Sequence, residues 1–546
     1  MEVLGQWKQG IPYPRWAALA HWGYGEARFL FYPPASWTLG AVLGSFLPWK
    51  MVPAAYCWIT LTLAGASMYR LAREWLRPQD ALFAAVFYAL NPYHLLIVYW
   101  RSAYAELLAA VLLPLLLLCL LRLKEPGFRP VLWLSLTLAG AWLTNAPAAV
   151  MIYYSATGLA LLLDLQVALQ RSKSSGGRVL GWEFWRLLMR SSTAMLIGAG
   201  LASFYLVPAI YEQGWVNLGE VMAPGVRPQD NFLFTTIADP DHNRFNLLVS
   251  MVALVEIGAL GLAIWFARRS KPNAETVAPG SPATLNRMGG ANNDLWLLLS
   301  AWGMASTLLM LSVTDLLWQH LPKFRFVQLP FRWLLCLNAA LALLFAIAVT
   351  RWPVRLIVSG VLLASLIIAG YRIQPPWWDQ AADIREMSDA VADRSGYEGT
   401  DEYVPAGADA YELNKNLPFV SDETGTPIPV RSETLAWLTM TPTERHFAVH
   451  TDAPENLVVR LFNYPAWAVV VNGNPTKTTT TDVTGLMVIP VAAGDSDVRI
   501  YFRRTTDRLL GNIASMISLV VFLVAWYWPA WIRVRRPPTI LESSAA

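Results

Sequence analysis

Asn91-Pro-Tyr-His-Leu-Leu-Ile-Val-Tyr-Trp-Arg-Ser-Ala-Tyr-Ala-Glu106 sets three ionisable side chains, His94, Arg101 and Glu106, between two apolar runs long enough to cross a bilayer. The upstream run, 81–99, and the downstream run, 103–121, leave only a few residues of turn, so Arg101 and Glu106 meet at one membrane face. An ionisable group at that depth is costly and persists where it has a partner or a task. The spacing of Arg101 and Glu106 permits a direct pair without dictating it, so the two read equally as a local salt bridge or as part of a site. His94 reads first as a packed interior histidine and second as a base.

Outward from that stretch the chain reads as a polytopic helical membrane protein, mainly α. Of its 546 residues, 55% are hydrophobic and 15% charged, and mean hydropathy is +0.38, a composition with far less charge than soluble domains carry. The spanning candidates are 53–69, 81–99, 103–121, 131–146, 148–168, 191–211, 246–267, 294–313, 332–350, 355–371 and 509–532, about eleven in all. The run 36–47, closed by Pro48-Trp49, is too short to span and reads as a juxtamembrane helix.

Lys and Arg concentrate in alternate connections: Arg70/Arg73/Arg77, Arg122/Lys124/Arg129, Arg171 to Arg190, Arg268 to Arg287, Arg351/Arg355 and the tail from Arg533 to Arg536. These loops and the C-terminal tail are expected on the cytoplasmic side of a bacterial inner membrane, with the intervening loops outside. Residues 1–28 hold no apolar signal-peptide core, and with 36–47 left out of the membrane the first 50 residues are expected outside as well. The formal net charge of +4 follows from this bias and calls for no nucleic acid. Cys57, Cys119 and Cys336 stand far apart inside apolar runs, with no CxxC, so neither a disulfide framework nor a zinc site is read.

Residues 1–371 therefore form the membrane domain, interrupted by a flexible linker at 272–293 rich in Pro, Gly, Asn and Ala. The connecting segment 372–429 leads to a different texture. Leu457 to Phe462, Trp467 to Val471, Leu486 to Ile489 and Val498 to Phe502 alternate as strands, and Asn472-Gly473 is a hairpin signal. A small extracytoplasmic β-sandwich is expected at 430–505, followed by the last helix and basic tail at 506–546.

The outer face then collects His21 and Glu26, Arg101 and Glu106, Glu212, Glu220 and Asp230, and Lys323, Arg325, Gln328 and Arg332. Arginines hold phosphate oxygens and a carboxylate serves as base or metal ligand, so the set suits a phosphorylated lipid. Asp239-Pro-Asp241-His242 reads either as a metal-binding element or as a solvated turn, and Arg325 and Arg332 among aromatics either as belt anchors or as phosphate binders.

Tyr13-Pro-Arg-Trp16, Gly23-Tyr-Gly25, Phe31-Tyr-Pro-Pro34, Asn91-Pro-Tyr-His94, Arg101 to Glu106, Gln328-Leu-Pro-Phe-Arg-Trp333 and Glu402-Tyr-Val-Pro405 together resemble the bacterial integral-membrane family labelled 6-pyruvoyl-tetrahydropterin-synthase-related. Tyr464-Pro-Ala-Trp467 with Val471-Asn-Gly473 looks like the end of YfhO-type membrane proteins, and both groups look like GT-C-fold glycosyltransferases. The resemblance implies a transferase that takes sugar from a polyprenyl-phosphate donor to an envelope glycan or lipid acceptor. It implies Arg101, Arg325 and Arg332 as phosphate binders, and His94, Gln328, Glu402 and Tyr403 as further substrate contacts. GT-C enzymes carry their catalytic carboxylate in the first outer loop, after a first helix. This sequence opens inside the equivalent loop, so the base is Glu26 or an Asp upstream of it. Glu106, or Asp239, Asp241 and His242, would support the acceptor or a divalent metal, magnesium or manganese. A non-catalytic protein that binds a polyprenyl lipid or assists envelope assembly is the alternative.

Overall fold

The computed structural model describes residues 1–175, 182–269, 282–372, 380–431 and 439–535. Among the described residues eight helices are long and apolar enough to cross a membrane: Trp49–Ala72, Pro78–Arg101, Tyr104–Arg122, Ala146–Leu169, Pro240–Phe266, Pro330–Ala348, Trp352–Arg372 and Thr506–Tyr527. Two further pairs, Phe184–Leu201 with Ser203–Trp215 and Leu295–Leu309 with Ser312–His320, pass together but bend by 75° and 91°. The remaining expected span, 131–146, is the 16-residue helix Arg129–Thr144. At about 1.5 Å per residue it falls short of a hydrocarbon core of about 30 Å. By length and composition, the eleven expected spans correspond among the described residues to eight straight helices, or ten with the bent pairs.

Several helices open on a proline in their first turn, where a missing N–H costs nothing. The juxtamembrane helix is Pro34–Phe46, fastened to the first span by the Tyr56 hydroxyl on Ser36 Oγ at 3.0 Å. The expected linker at 272–293 lies outside the described residues as far as 281, and from Pro282 the backbone is helical.

The two sets of loops separate to opposite ends of the bundle. At one end Arg70 and Arg122 both reach Glu74 at 2.5 Å, Arg190 donates to the Glu125 carbonyl, and Arg355 pairs with Asp80. At the other end Glu106 meets Arg332, Gln328 reaches the Val221 carbonyl, and Asn217 pairs its amide with Val404.

That second end carries the β-domain. Strands β1 (Val420–Ser421), β5 (Glu455–Phe462), β9 (Leu486–Val491) and β8 (Thr479–Thr480) form one sheet. The other holds β2 (Val430–Arg431), β4 (Glu444–Thr451), β10 (Gly494–Phe502), β6 (Trp467–Val471) and β7 (Asn474–Thr476), with β3 (Thr439–Thr441) on β4. Phe447, Val498 and Ile500 of one sheet and Leu457, Val459 and Ile489 of the other share one core, as a sandwich requires. Asn472 (φ 50°) and Gly473 (φ 80°) make the left-handed turn of the β6–β7 hairpin.

Two boundaries move. The sandwich begins at Val420, inside the expected connecting segment, because β1 pairs with β5. The N-terminal stretch also belongs to it: the Trp16 ring lies 5.5 to 5.7 Å from those of Tyr464, Trp467 and Phe502.

Candidate functional site

Glu106 is the centre of the membrane-end cluster. Asn91 accepts from the His94 amide at 3.0 Å and starts a short helix. A π-helical turn, Ile97–Arg101, ends on Ser102 in the left-handed region. That turn swings Arg101 back over the next helix, where its Nη1 meets Glu106 Oε2 at 2.9 Å. Tyr93 donates its hydroxyl to Oε1 at 2.6 Å and itself accepts from Arg101 at 3.2 Å. From the far side Arg332, on the turn Pro330–Trp333, brings Nε to the same Oε2 at 3.1 Å. Its Nη1 is held by the Val327 carbonyl at 2.5 Å and by Gln328 Oε1 at 3.3 Å.

Both readings of Arg101 and Glu106 are thereby joined: they do pair, and the pair sits in a larger constellation. Two guanidiniums share one buried carboxylate, leaving one positive charge in excess. The expected catalytic role does not suit Glu106, whose two oxygens are bound by a phenol and two arginines and have little capacity left to take a proton.

Beside this cluster lies a cavity of about 660 Å³ between the N-terminal stretch, helix Pro34–Phe46 and helix Ala381–Ala392, lined by Arg28, Tyr32, Trp37, Tyr397, Glu402 and Tyr403 among others. Tyr32 feels the charges of Arg332, Glu106, Arg28 and Glu402, so it links the cavity to the cluster. Burial pushes the Tyr32 phenol up, and burial with the charge of Glu402 pushes Tyr403 well up. Both are therefore neutral hydrogen-bond donors across the physiological range. Glu402 itself is half-buried on the cavity wall.

Glu26, the other expected catalytic carboxylate, is fully buried. It pairs with His21 at 3.0 Å and with Arg28, and accepts from the Thr400 amide at 2.7 Å. Burial lowers the Arg28 pKa, but Glu26 beside it more than offsets that and the net shift is upward. Gly25 explains the local glycine motif: at φ +77° it lies so close to Trp16 that a Cβ would fall 2.2 Å from the indole nitrogen.

The other expected residues scatter. His94 is fully buried, its Nδ1 3.2 Å from the Ala89 carbonyl and its ring edge-on to Tyr88, the packed-interior reading. Gln328 joins the cluster through Arg332, whereas Arg325 is exposed. Asp239 caps the helix Pro240–Arg269 by accepting from the amides of Asp241 and His242, Asp241 pairs with Arg244 on the surface, and His242 Nε2 sits 3.1 Å from the Asp230 carbonyl. Among the described residues no three His, Cys, Asp or Glu side chains could hold a metal ion. The three residues expected to bind magnesium or manganese do not fit it, and the stretch is the solvated turn.

Tyr93 was not legible as a partner of Glu106. Two buried carboxylates have partners the sequence did not reveal: Glu212, of the outer-face set, and Glu256, which was not read at all. Glu212 meets Arg508 through both oxygens, at 2.7 and 2.8 Å, and accepts from the Tyr464 hydroxyl at 2.6 Å. Glu256, inside Pro240–Phe266, accepts from Asn338 at 2.8 Å. A lone Glu in an apolar run and an Asp-Arg pair opening the last helix were the available signals.

No protein-family model matches the chain, and no curated protein matches it. One matching solved structure, from single-particle cryo-electron microscopy, is the arabinofuranosyltransferase AftD from Mycobacteria. It is 18% identical, with a TM-score of 0.36, over 66% of this chain and 23% of that chain. This chain thus spans about a quarter of that protein's length. These comparisons do not support membership of the 6-pyruvoyl-tetrahydropterin-synthase-related or YfhO-type groups.

Proposed function

We propose that the chain is a GT-C-type membrane glycosyltransferase that takes sugar from a polyprenyl-phosphate donor to an envelope acceptor, on the outer face of the bacterial cytoplasmic membrane. The observation that carries the reading is the arginine excess at Glu106. Arg101 and Arg332 present a charge that one phosphate oxygen completes, and guanidiniums hold phosphate with directed pairs of N–H bonds. The donor phosphate binds there with its prenyl tail along helix Pro34–Phe46, and the sugar occupies the cavity behind Tyr32. Tyr32 and Tyr403 donate hydrogen bonds. Glu402, in place of the saturated Glu26 and Glu106, takes the acceptor hydroxyl proton while the oxygen attacks the anomeric carbon and the lipid phosphate departs.

The test is polyprenyl-phosphate binding and radiolabelled sugar transfer with the full chain in nanodiscs. Arg332→Ala is expected to weaken lipid binding at least tenfold, Arg101→Lys to leave partial activity, and Glu402→Gln to stop transfer with binding intact. Absence of lipid-phosphate binding in the folded wild type sinks the proposal. A second reading, a non-catalytic polyprenyl-lipid-binding or envelope-assembly protein, is favoured by the saturation of both Glu26 and Glu106. Lipid binding that responds to Arg332→Ala, with no transfer from any donor, selects it.

A further inference from the structure

Arg445 of β4 and Arg460 of β5 lie together where the sandwich meets the N-terminal stretch, and among the described residues neither forms an ion pair. Arg445 is 8% exposed. It donates to the Arg460 carbonyl at 2.7 Å and the Gly23 carbonyl at 3.3 Å. Arg460 donates to the carbonyls of Trp22, Lys415 (3.0 Å) and Leu417 (3.3 Å), and its buried Nε has no acceptor. Every acceptor is a neutral carbonyl. Peptide dipoles satisfy N–H groups without cancelling charge, and among the described residues no carboxylate pairs with these two neighbouring cations, one buried and one half-buried. Burial and the Arg460 charge together bring Arg445 down to about 10.

Both arginines line a cavity of about 270 Å³, with Gln6, Trp22, Phe419 and Glu2 also on its wall. Glu2, on the same wall, forms no ion pair with either arginine; its carboxylate is turned onto Tyr397 at 2.5 Å, Gln6 at 3.1 Å and the Leu19 amide at 3.3 Å. The backbone that supplies two of the carbonyls is itself constrained. His21 (φ 50°) and Trp22 (φ 55°) are consecutive left-handed non-glycine residues ahead of Gly23. Such strain persists where surroundings enforce it, and it clusters at ligand clamps. The volume sits just under the range of small-molecule pockets, which starts at about 300 Å³, and suits one sugar-sized group.

We propose that this cavity binds a single anionic group, a sugar carboxylate or a phosphate, whose charge Arg445 and Arg460 neutralise. The site is separate from Arg101 and Arg332 and stands or falls independently of the transferase reading. It adjoins the larger cavity, because Glu2 and Val391 line both.

The test titrates glucuronate, glucose and inorganic phosphate against the full chain in nanodiscs, by calorimetry and thermal shift. Glucuronate or phosphate is expected to bind and raise the melting temperature, with glucose at least tenfold weaker. Arg460→Gln and Arg445→Gln should each weaken anion binding at least tenfold, and Arg460→Lys serves where the Arg445 variant fails to fold. Glucuronate binding alone assigns a sugar carboxylate, and binding of both anions assigns a phosphate-sized oxyanion site. Equal binding of glucose and glucuronate overturns the proposal, as does no anion binding or unchanged binding in folded Arg460→Gln. Phosphate binding lost in Arg332→Ala but kept in Arg460→Gln moves the anion to the membrane-end cluster and also overturns it.

Discussion

Glu106 and Glu212 are both buried carboxylates at the end of the bundle that carries the β-sandwich, and both accept from a tyrosine hydroxyl at 2.6 Å. Their arginines differ. Glu212 faces Arg508 head-on, one fork to one carboxylate, and Arg15 and Asp507 nearby add one charge of each sign, so the group balances. Glu106 is shared by Arg101 and Arg332 and leaves a positive charge over. Balanced charge closes on itself and joins helices Ser203–Glu212 and Thr506–Arg535 to the sandwich through Tyr464. Unbalanced charge is what a phosphate could complete.

The largest effect is expected from Arg508→Met. It strands Glu212 in a buried place, and removing one partner of a buried pair costs about 3–5 kcal/mol. The thermal transition of the purified protein should fall accordingly, and the sandwich should become protease-sensitive while the helices stay inserted. A loss under about 1 kcal/mol, the scale of an exposed pair, would show that the balanced group is not a latch.

What the sequence disclosed follows the same division between local and distant. The Arg101–Glu106 pair spans one short turn between apolar runs, so its proximity was legible in the chain itself. Its third member, Arg332, is 226 residues from Glu106, and Arg508 is 296 from Glu212. No period in the sequence records such a meeting. The sandwich strands were legible because alternation and the Asn472-Gly473 turn are local, whereas Val420–Ser421 is too short to alternate. Hydropathy also hid the breaks after Leu201 and Leu309, since apolar composition continues across them while the backbone turns by 75° and 91°. The burial of Glu26 was not legible because its polar, aromatic surroundings carry no apolar period, and Thr400, which helps to enclose it, is 374 residues away.

Tyr464→Phe sharpens the comparison at smaller scale. It removes one hydrogen bond to a charged group, about 1.5–3 kcal/mol, while keeping the ring against Trp16 and Trp215. Calorimetry should detect that loss. An unchanged transition would mean that Arg508 alone holds Glu212.

At the unbalanced cluster the corresponding arginine change should do far less to stability. Arg332→Met leaves the Arg101–Glu106 pair matched, so a cost of about 1 kcal/mol or less is expected, set against an at least tenfold loss of polyprenyl-phosphate affinity. The contrast with Arg508→Met, similar chemistry with opposite consequences, is the sharpest form of the argument. A destabilisation as large as that of Arg508→Met, with lipid binding intact, would make both clusters structural.

The smallest expected effect lies in the loop that runs between the two clusters. Trp215 stacks edge-on to Tyr464 at one end, and the Val221 carbonyl accepts from Gln328 at the other. Asp230 ties the loop down: its Oδ2 accepts from the Gly225 amide and from Arg227 Nε, each at 2.8 Å. Burial works to raise the Asp230 carboxyl, but the Gly225 amide and the Arg227 guanidinium outweigh it, and its pKa is lowered. A lowered carboxyl stabilises the fold in its ionised form. The contribution is complete above the unfolded value of about 3.9 and is lost as pH falls through the lower folded value. The protection of the Gly225 amide, the slowing of its exchange relative to an unstructured amide at the same pH, should therefore stay high at neutral pH and fall only in acid. Asp230→Asn should show the lower protection already at neutral pH, with little change in the global transition. If acid or Asp230→Asn frees the loop and polyprenyl-phosphate affinity falls with it, Gln328 carries the loop's state to Arg332. If affinity stays constant, the balanced and unbalanced clusters act separately, and the loop only spans the distance between them.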